Sequence, residues 1–326
     1  KMKDNDRRPW GNTRYFLHKL IILLVLGMGL MQGCITVGPD YVPPEQIMPD
    51  AWHQELTKDL AEGETHLKTW WKSLNDPILN NLIERAAAGN LDLQEAAARV
   101  TEAEARRGIS TGERFPDING TGFTERSRTS EDFFPPTGSR NDNIYGLGLD
   151  ASWEIDFWGR IRRLVESADA GLQASVEAYR DVQVLLFAEI ALNYVEVRTL
   201  QTRINFAENN VETQQGSLEI TQARLDAEIV GELDVRQAEL NLASTEAFIP
   251  TLRSAMLKAI NRLGVLLGEF PSALYDELIT PAPIPQPTDS IMLSMPADLL
   301  RQRPDIRQAD RELAAQNARV GVATSE

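Results

Sequence analysis

The chain has a single cysteine, Cys34, among its 326 residues. One thiol cannot close an internal disulfide, so no disulfide framework holds this protein together. Histidine is almost as rare. His18, His53 and His66 stand far apart, without the spacing of metal ligands, and read as surface or loop residues. Positive charge is in deficit: 33 Lys and Arg face 48 Asp and Glu, a net charge of −15. A protein that grips nucleic acid through its phosphates needs the opposite balance, and the charge disfavours that class. There is no apolar run of the roughly 20 residues that a membrane-crossing helix requires. Nor is there a glycine-rich phosphate loop, or a nucleophile with a base and an orienting partner. The chain is therefore not expected to be an enzyme, and neither catalytic residues nor a metal site is expected.

What the chain has is enough apolar content, 42% against 25% charged, to bury a core. At the N-terminus Arg7, Arg8, Arg14 and Lys19 precede an apolar stretch of 11 residues, Leu20 to Leu30. That is too short to span a bilayer and fits a signal peptide over 1–33. Gly33-Cys34 then reads as the end of a lipobox, with the mature chain starting at Cys34 and carrying a covalent lipid there. Met31-Gln32 departs from the usual residues before such a pair. From Val37 to Pro49 the chain is proline-rich and should run extended over a surface, pinned by Trp52, Trp70 and Trp71.

Asp76-Pro77 predicts a helix start, with Asp as N-cap and Pro at the first position. The helix is expected to run to about Glu113, lightly interrupted at Gly89, and to end at Phe115-Pro116. Two strand-like runs follow, Asp117 to Arg128 and Asn143 to Ile155, joined by a polar loop. In the second, Tyr145, Leu147, Leu149, Ala151, Trp153 and Ile155 share one face. Such a hairpin suits either a soluble core or a membrane barrel, whose strands need about 9–11 residues. Two strands alone would leave open edges in lipid and must close with others.

After Gly159 a helical pattern runs unbroken to about Val230, some 105 Å at 1.5 Å per residue. Within it Ile190, Val197, Ile204, Val211, Leu218 and Leu225 recur every seventh residue. Gly231-Glu232-Leu233-Asp234 is expected to break the helix. A second helix to about Leu267 carries Val235, Leu242, Ile249, Met256 and Leu263 at the same spacing, with Pro250 expected to kink it. Two heptad helices joined by a short turn make an antiparallel coiled-coil hairpin. The two shorter helices laid end to end match the long one, the arithmetic of a double-layered cylinder wall.

Pro271 to Pro287 reads as an extended linker, and Pro296 opens a new helical region. That region echoes the first helix at a shift of 213. Ala96, Ala105, Arg106, Gly108 and Glu113 match Ala309, Ala318, Arg319, Gly321 and Glu326. A full second repeat would need about 150 residues more, so the chain reads as stopping within it. The expected divisions are a signal peptide at 1–33, a lipidated extended segment at 34–75, and a first-repeat helix at 76–114. A β-hairpin at 115–156, a helical hairpin at 157–269, a proline-rich linker at 270–295 and the start of a second repeat at 296–326 follow. Asn119-Gly120-Thr121 matches a glycosylation triplet by chance, and the Gly264–Gly268 spacing reads as helix termination rather than a helix-dimer motif.

Several of these segments together resemble one family. Cys34 with Val37-Gly38-Pro39-Asp40-Tyr41 resembles the mature start of the outer-membrane efflux lipoproteins of the OprM/NodT type, the TolC-like outer membrane factors. So do Trp153-Glu154-Ile155-Asp156-Phe157-Trp158-Gly159-Arg160, Leu266-Leu267-Gly268, and Leu299-Leu300-Arg301-Gln302-Arg303-Pro304-Asp305-Ile306. The last is similar to the LLRRRPDI segment that opens the family's second repeat, with Arg303, Pro304 and Asp305 at its centre. The resemblance implies a mixed fold: a long α-barrel stave, plus a β-hairpin contributed to a trimeric, 12-stranded outer-membrane barrel. It implies a homotrimer in the bacterial outer membrane, lipid-anchored, with the helices in the periplasm. Its partners would be a periplasmic adaptor and an inner-membrane pump, and it would conduct small molecules passively.

The adaptor would dock at the hairpin tip, Glu228, Ile229, Val230, Gly231, Glu232, Leu233 and Asp234. The family's tip usually reads AGLVSELD; here Glu228 stands in place of the glycine and Gly231 in place of the serine. Glu212, Glu219, Asp226, Glu228, Glu232 and Asp234 crowd this end against Arg224 and Arg236. They form either a solvated coiled-coil end or an acidic mouth that favours cations. The alternatives to a duct are a periplasmic adaptor, which also uses a helical hairpin, or a structural coiled-coil lipoprotein without a pore.

Overall fold

The computed structural model describes residues 36–45, 60–62, 67–128, 141–287, 291–293 and 300–326. The signal-peptide stretch, Cys34 and Trp52 lie outside the described residues. In chain order the elements are β1 (Leu60–Glu62), a 3-10 helix (Leu67–Leu74), α1 (Pro77–Gly89), α2 (Leu91–Gly112), β2 (Asp117–Arg128) and β3 (Asn141–Ser152). Then come α3 (Arg160–Asp226), α4 (Glu232–Leu266), α5 (Tyr275–Leu278), β4 (Ile291–Leu293) and α6 (Pro304–Ser325). The chain forms two compact units, one of residues 1–44, 102–174 and 310–326, the other of 45–101 and 175–309.

The second unit holds the main core. Asp76 caps α1 as its sequence suggests: Oδ1 accepts from the Ile78 and Leu79 amides at 2.9 and 3.0 Å. Leu79, Leu82, Ile83 and Ala86 then fall on one face and are buried. They pack with Ile190, Tyr194 and Val197 of α3, Ile260 and Leu263 of α4, and Leu274 and Leu278. Each leucine, isoleucine and valine among them stabilises the fold by about 1.5–3 kcal/mol on burial. Trp71 sits edge-on to Phe187 with ring centroids 4.9 Å apart. The Tyr194 hydroxyl donates to Asp76 Oδ2 at 2.7 Å; burial, then this bond, push its pKa up to about 12. Beneath it Arg198 is buried and donates to Gln201 Oε1 and the Thr280 carbonyl.

The first helix is broken more deeply than the sequence suggests, and at Asn90 rather than Gly89. The Asn90 amide closes α1 on the Ala86 carbonyl, and its Oδ1 accepts from Leu93 N at 2.8 Å to start α2. Its Nδ2 donates to the Leu266 carbonyl at 2.9 Å, at the end of α4. One residue thus ties three helix ends together, α1 through its main chain and the other two through its side chain. Gly89 and Gly268 let the backbones meet: a Cβ on Gly268 would lie 2.2 Å from the Gly89 carbonyl oxygen.

The heptad helices have the expected extents. α3 spans 67 residues and α4 spans 35, and α4 continues through Pro250. Ile190, Val197, Met256 and Leu263 are buried at the core end of the hairpin. Val211, Leu218, Leu225, Leu242 and Ile249 are half-buried towards the tip. Arg253 pairs with Glu208 at 2.7 Å and Arg262 Nε with Glu189 at 2.9 Å across the hairpin. β1 pairs in parallel with β4 in this unit.

In the first unit β2 and β3 pair antiparallel over their full length, from Asp117↔Ser152 to Arg128↔Asn141. The alternation through Trp153 and Ile155 runs past the strand: pairing stops where Pro116, which has no amide hydrogen, precedes β2. Ala314 and Ala315 of α6 pack on Ala170 of α3, with Tyr41 against them.

Candidate functional site

The β-hairpin has two chemically distinct faces. Paired residues share a face. Ile118, Thr124, Tyr145, Leu147, Leu149 and Ala151 therefore lie together, with Gly120 and Gly122 opposite Leu149 and Leu147. The leucine side chains come within 3.7 and 3.4 Å of where those glycines would carry a Cβ. The other face holds Asp117, Asn119, Thr121, Glu125, Asp142 and Asp150. Phe123 is on this polar face, its ring lying over Gly146, rather than among the leucines. The apolar face is uncovered: Leu147 is 96% exposed. Each strand has 12 residues, bilayer length. At the base, Phe115, Trp153, Phe157 and Trp158 are all exposed, the placement of an interfacial aromatic belt.

That base is built by the Trp153–Arg160 segment. Asp156 caps α3, accepting from the amides of Ile161 and Arg162 at 3.2 and 3.0 Å and from Arg162 Nε. Burial alone would raise the Asp156 carboxyl; the two amides and the Arg162 guanidinium outweigh it and hold it below its usual range. Arg160 grips Glu154 at 2.7 Å and Glu113 at 3.2 Å, joining the end of α2 to the start of α3.

Residues 36–41 form a strap fastened in this same unit. The Val37 amide donates to the Trp158 carbonyl at 3.1 Å. Arg163, only 3% exposed, donates to the carbonyls of Val37 and Gly38 at 3.1 and 3.0 Å, and to Asp40 and Glu166 at 2.8 Å. Asn317 Nδ2 donates to the Pro39 carbonyl at 2.8 Å. The Tyr41 hydroxyl donates to Asp310, and Arg311 lies 5.9 Å over the Tyr41 ring. Gly38 has φ +90°, and a Cβ there would sit 2.5 Å from Gly321 Cα. Sequence reading missed this cradle. Its partners are about 120 to 280 positions apart; the signals available were the Val37–Tyr41 segment, noted as a family resemblance, and Gly321, noted as a repeat position. The equivalent Gly108 has open space around it.

The helical tip lies in the second unit. α3 ends in a Schellman turn: Ile229 N donates to the Arg224 carbonyl at 2.9 Å and Glu228 N to Leu225 at 2.8 Å. Glu228 takes the left-handed position, φ +57°. α4 ends in the same turn, but there Gly268, φ +73°, holds that place. The break thus lies upstream of the Gly231–Asp234 segment. Glu232, Leu233 and Asp234 form the first turn of α4, with Gly231 as its N-cap. Only half a capping box is present: Asp234 Oδ2 accepts from the Gly231 amide at 3.0 Å, but glycine has no side chain to return the bond. Ile229 and Leu233 are 71% and 80% exposed. Arg236 binds Glu232 and Glu239. The Arg303-Pro304-Asp305 segment starts α6. Arg303 pairs with Asp305 at 2.6 Å, and Arg307 reaches Glu177 of α3 at 2.7 Å.

Among the described residues no group of His, Cys, Asp and Glu stands close enough to hold a metal ion. No described helix is long and apolar enough to cross a membrane. Bilayer-length strands with one bare apolar face, on the same chain as a heptad hairpin of this length, define a membrane-barrel hairpin joined to a long coiled-coil stave. The chain belongs to the outer membrane efflux protein family, which matches residues 82–269. It is similar to Nodulation protein T of Rhizobium leguminosarum bv. trifolii, 31% identical over 91% of this chain and 62% of that protein. It is also similar to the toluene efflux pump outer membrane protein TtgI of Pseudomonas putida, 33% identical over 93% of this chain and 64% of the other. The outer-membrane channel OprN shares its fold at a TM-score of 0.78 and 38% identity, covering 89% of this chain and 64% of that one. CusC does so at 0.69 and 26%, covering 88% and 63%. The chain thus spans a little under two thirds of these relatives. Family and relatives place it in the outer membrane.

Proposed function

We propose that the protein is the outer-membrane channel subunit of a tripartite efflux system. It conducts small molecules passively from an inner-membrane pump and a periplasmic adaptor to the exterior, and does no chemistry on its cargo. The observation that carries this reading is the two-faced β-hairpin on the chain that also bears the heptad hairpin. The open edges of β2 and β3 have to be paired within lipid, which favours closure with other copies into a barrel, here a homotrimer with 12 strands. The tip from Glu228 to Asp234 is the adaptor-docking surface, with Ile229 and Leu233 as its exposed apolar contacts. Relatives named for nodulation, toluene efflux and pyoverdine export support a duct that leaves cargo choice to the pump. Full-length protein should run as a heat-resistant trimer and conduct ions in a planar bilayer. A monomer without conductance would overturn the proposal.

Cys34 is the lipid attachment site in this reading, and Cys34→Ser should abolish labelling by radioactive palmitate; persistent labelling would refute it. The acidic tip forms a mouth that favours cations. Asp234 also caps α4, so Glu228→Gln with Glu232→Gln is the cleaner test. Cation preference should fall, and unchanged selectivity would remove the idea.

A further inference from the structure

The register of the β-hairpin sorts its charges completely. Within the paired strands all four carboxylates, Asp117, Glu125, Asp142 and Asp150, lie on the polar face. Both guanidinium groups, Arg126 and Arg128, lie on the apolar face, opposite Asn143 and Asn141 at the loop end. A face turned to lipid tolerates cations only where they reach the headgroups, and it tolerates them best beside anions.

The spacing fits that boundary. From Ile118, beside the aromatic base, to Arg126 and Arg128 is eight and ten residues of strand. At about 3.4 Å per residue and a tilt near 40°, these arginines rise roughly 20 and 26 Å above Ile118, against an apolar belt about 25 Å tall. They straddle its outer edge, above Tyr145, with no carboxylate on their face of the paired strands.

We propose that Arg126 and Arg128 form a docking surface for the phosphate groups of the outer leaflet's phosphorylated glycolipid, whose acyl chains cover Leu147 and Leu149. This rests on the outer-membrane reading above. The argument for this occupant is charge complementarity at that depth: a paired cationic site on the outer border of a lipid-facing sheet.

The test uses full-length protein in detergent, titrated with purified lipopolysaccharide while its melting temperature is followed. Arg126→Gln with Arg128→Gln should raise the half-maximal concentration roughly 25-fold, about five-fold for each cation facing an anionic surface. Enzymatically dephosphorylated lipopolysaccharide should lose the same factor on the unaltered protein, so the inference stays testable if the variant folds poorly. Equal titrations for variant and wild type, or for intact and dephosphorylated lipid, would overturn it. An equal response to phosphatidylglycerol would also overturn it, because the site would then read any anionic headgroup. Membrane fractionation separates the two levels. Protein that reaches the outer membrane without this lipid dependence defeats only the docking surface; protein that never reaches it defeats the duct as well.

Discussion

Arg163→Met releases the strap at residues 36–41 while keeping most of the side chain's volume. The loss follows from the four acceptors Arg163 now serves. The bonds to the Val37 and Gly38 carbonyls come from a charged donor that is 3% exposed, and such bonds contribute about 1.5–3 kcal/mol each. The pairs with Asp40 and Glu166 add little, because those carboxylates are 90% and 44% exposed. Strap residues lie at the surface, and solvent there reduces each bond to about 1–2 kcal/mol, or about 2–4 kcal/mol for the two. At 1.36 kcal/mol per decade, local opening becomes roughly 30- to 1,000-fold more frequent. Hydrogen exchange at the Val37 amide, which donates to Trp158, reads this directly and should accelerate by that factor. Gly321→Ala attacks the same seat from α6, since its Cβ would fall 2.8 Å from Arg163 Cδ and Cγ. If Val37 exchanges at wild-type rates in both variants, the clamp does not exist.

The tip gives a gain rather than a loss. Glu228→Gly relieves a left-handed non-glycine residue and should stabilise the turn by about 1 kcal/mol, read as slower exchange at the Ile229 amide; faster exchange would contradict the assignment. Asn90→Ala removes the side chain that joins the start of α2 to the end of α4, and should cost about 1–3 kcal/mol in chemical denaturation. An unaffected midpoint would mean the junction is held by Gly89 and Gly268 alone. Acid should loosen the base of the β-hairpin, through Asp156, and the strap at residues 36–41, through Asp310. The Asp156 and Asp310 carboxyls are held below their usual range, so their contribution is complete above pH about 4 and lost as pH falls through their lowered values. Asp156→Asn should flatten the fall in melting temperature below that pH; identical slopes would refute the capping role.

The parts of this fold that rest on local repetition were readable in the sequence. The every-seventh apolar row from Ile190 to Leu225, the Asp76-Pro77 helix start and the β3 alternation each express a period set by backbone geometry. What escaped depends on distant contacts. The break at Asn90 looks like a mild Gly89 interruption until Leu266, 176 positions on, offers its carbonyl. Trp153 and Ile155 keep the strand period but lose their partner strand at Pro116. Phe123 counts as apolar in any tally, yet the pairing of β2 with β3 puts it over Gly146 on the polar face. The strap cradle of Arg163, Asp310, Arg311, Asn317 and Gly321 carries no local signature.

The central claim is that β2 and β3 line a membrane-spanning barrel with one face in lipid. Single cysteines placed along β3 in the full-length protein, in a Cys34→Ser background, test it most directly. Tyr145→Cys, Leu147→Cys and Leu149→Cys should resist a water-soluble maleimide and react with a lipid-dissolved one. Gly146→Cys, Gly148→Cys and Asp150→Cys should show the reverse. Uniform labelling by the water-soluble reagent along the whole strand would contradict the account.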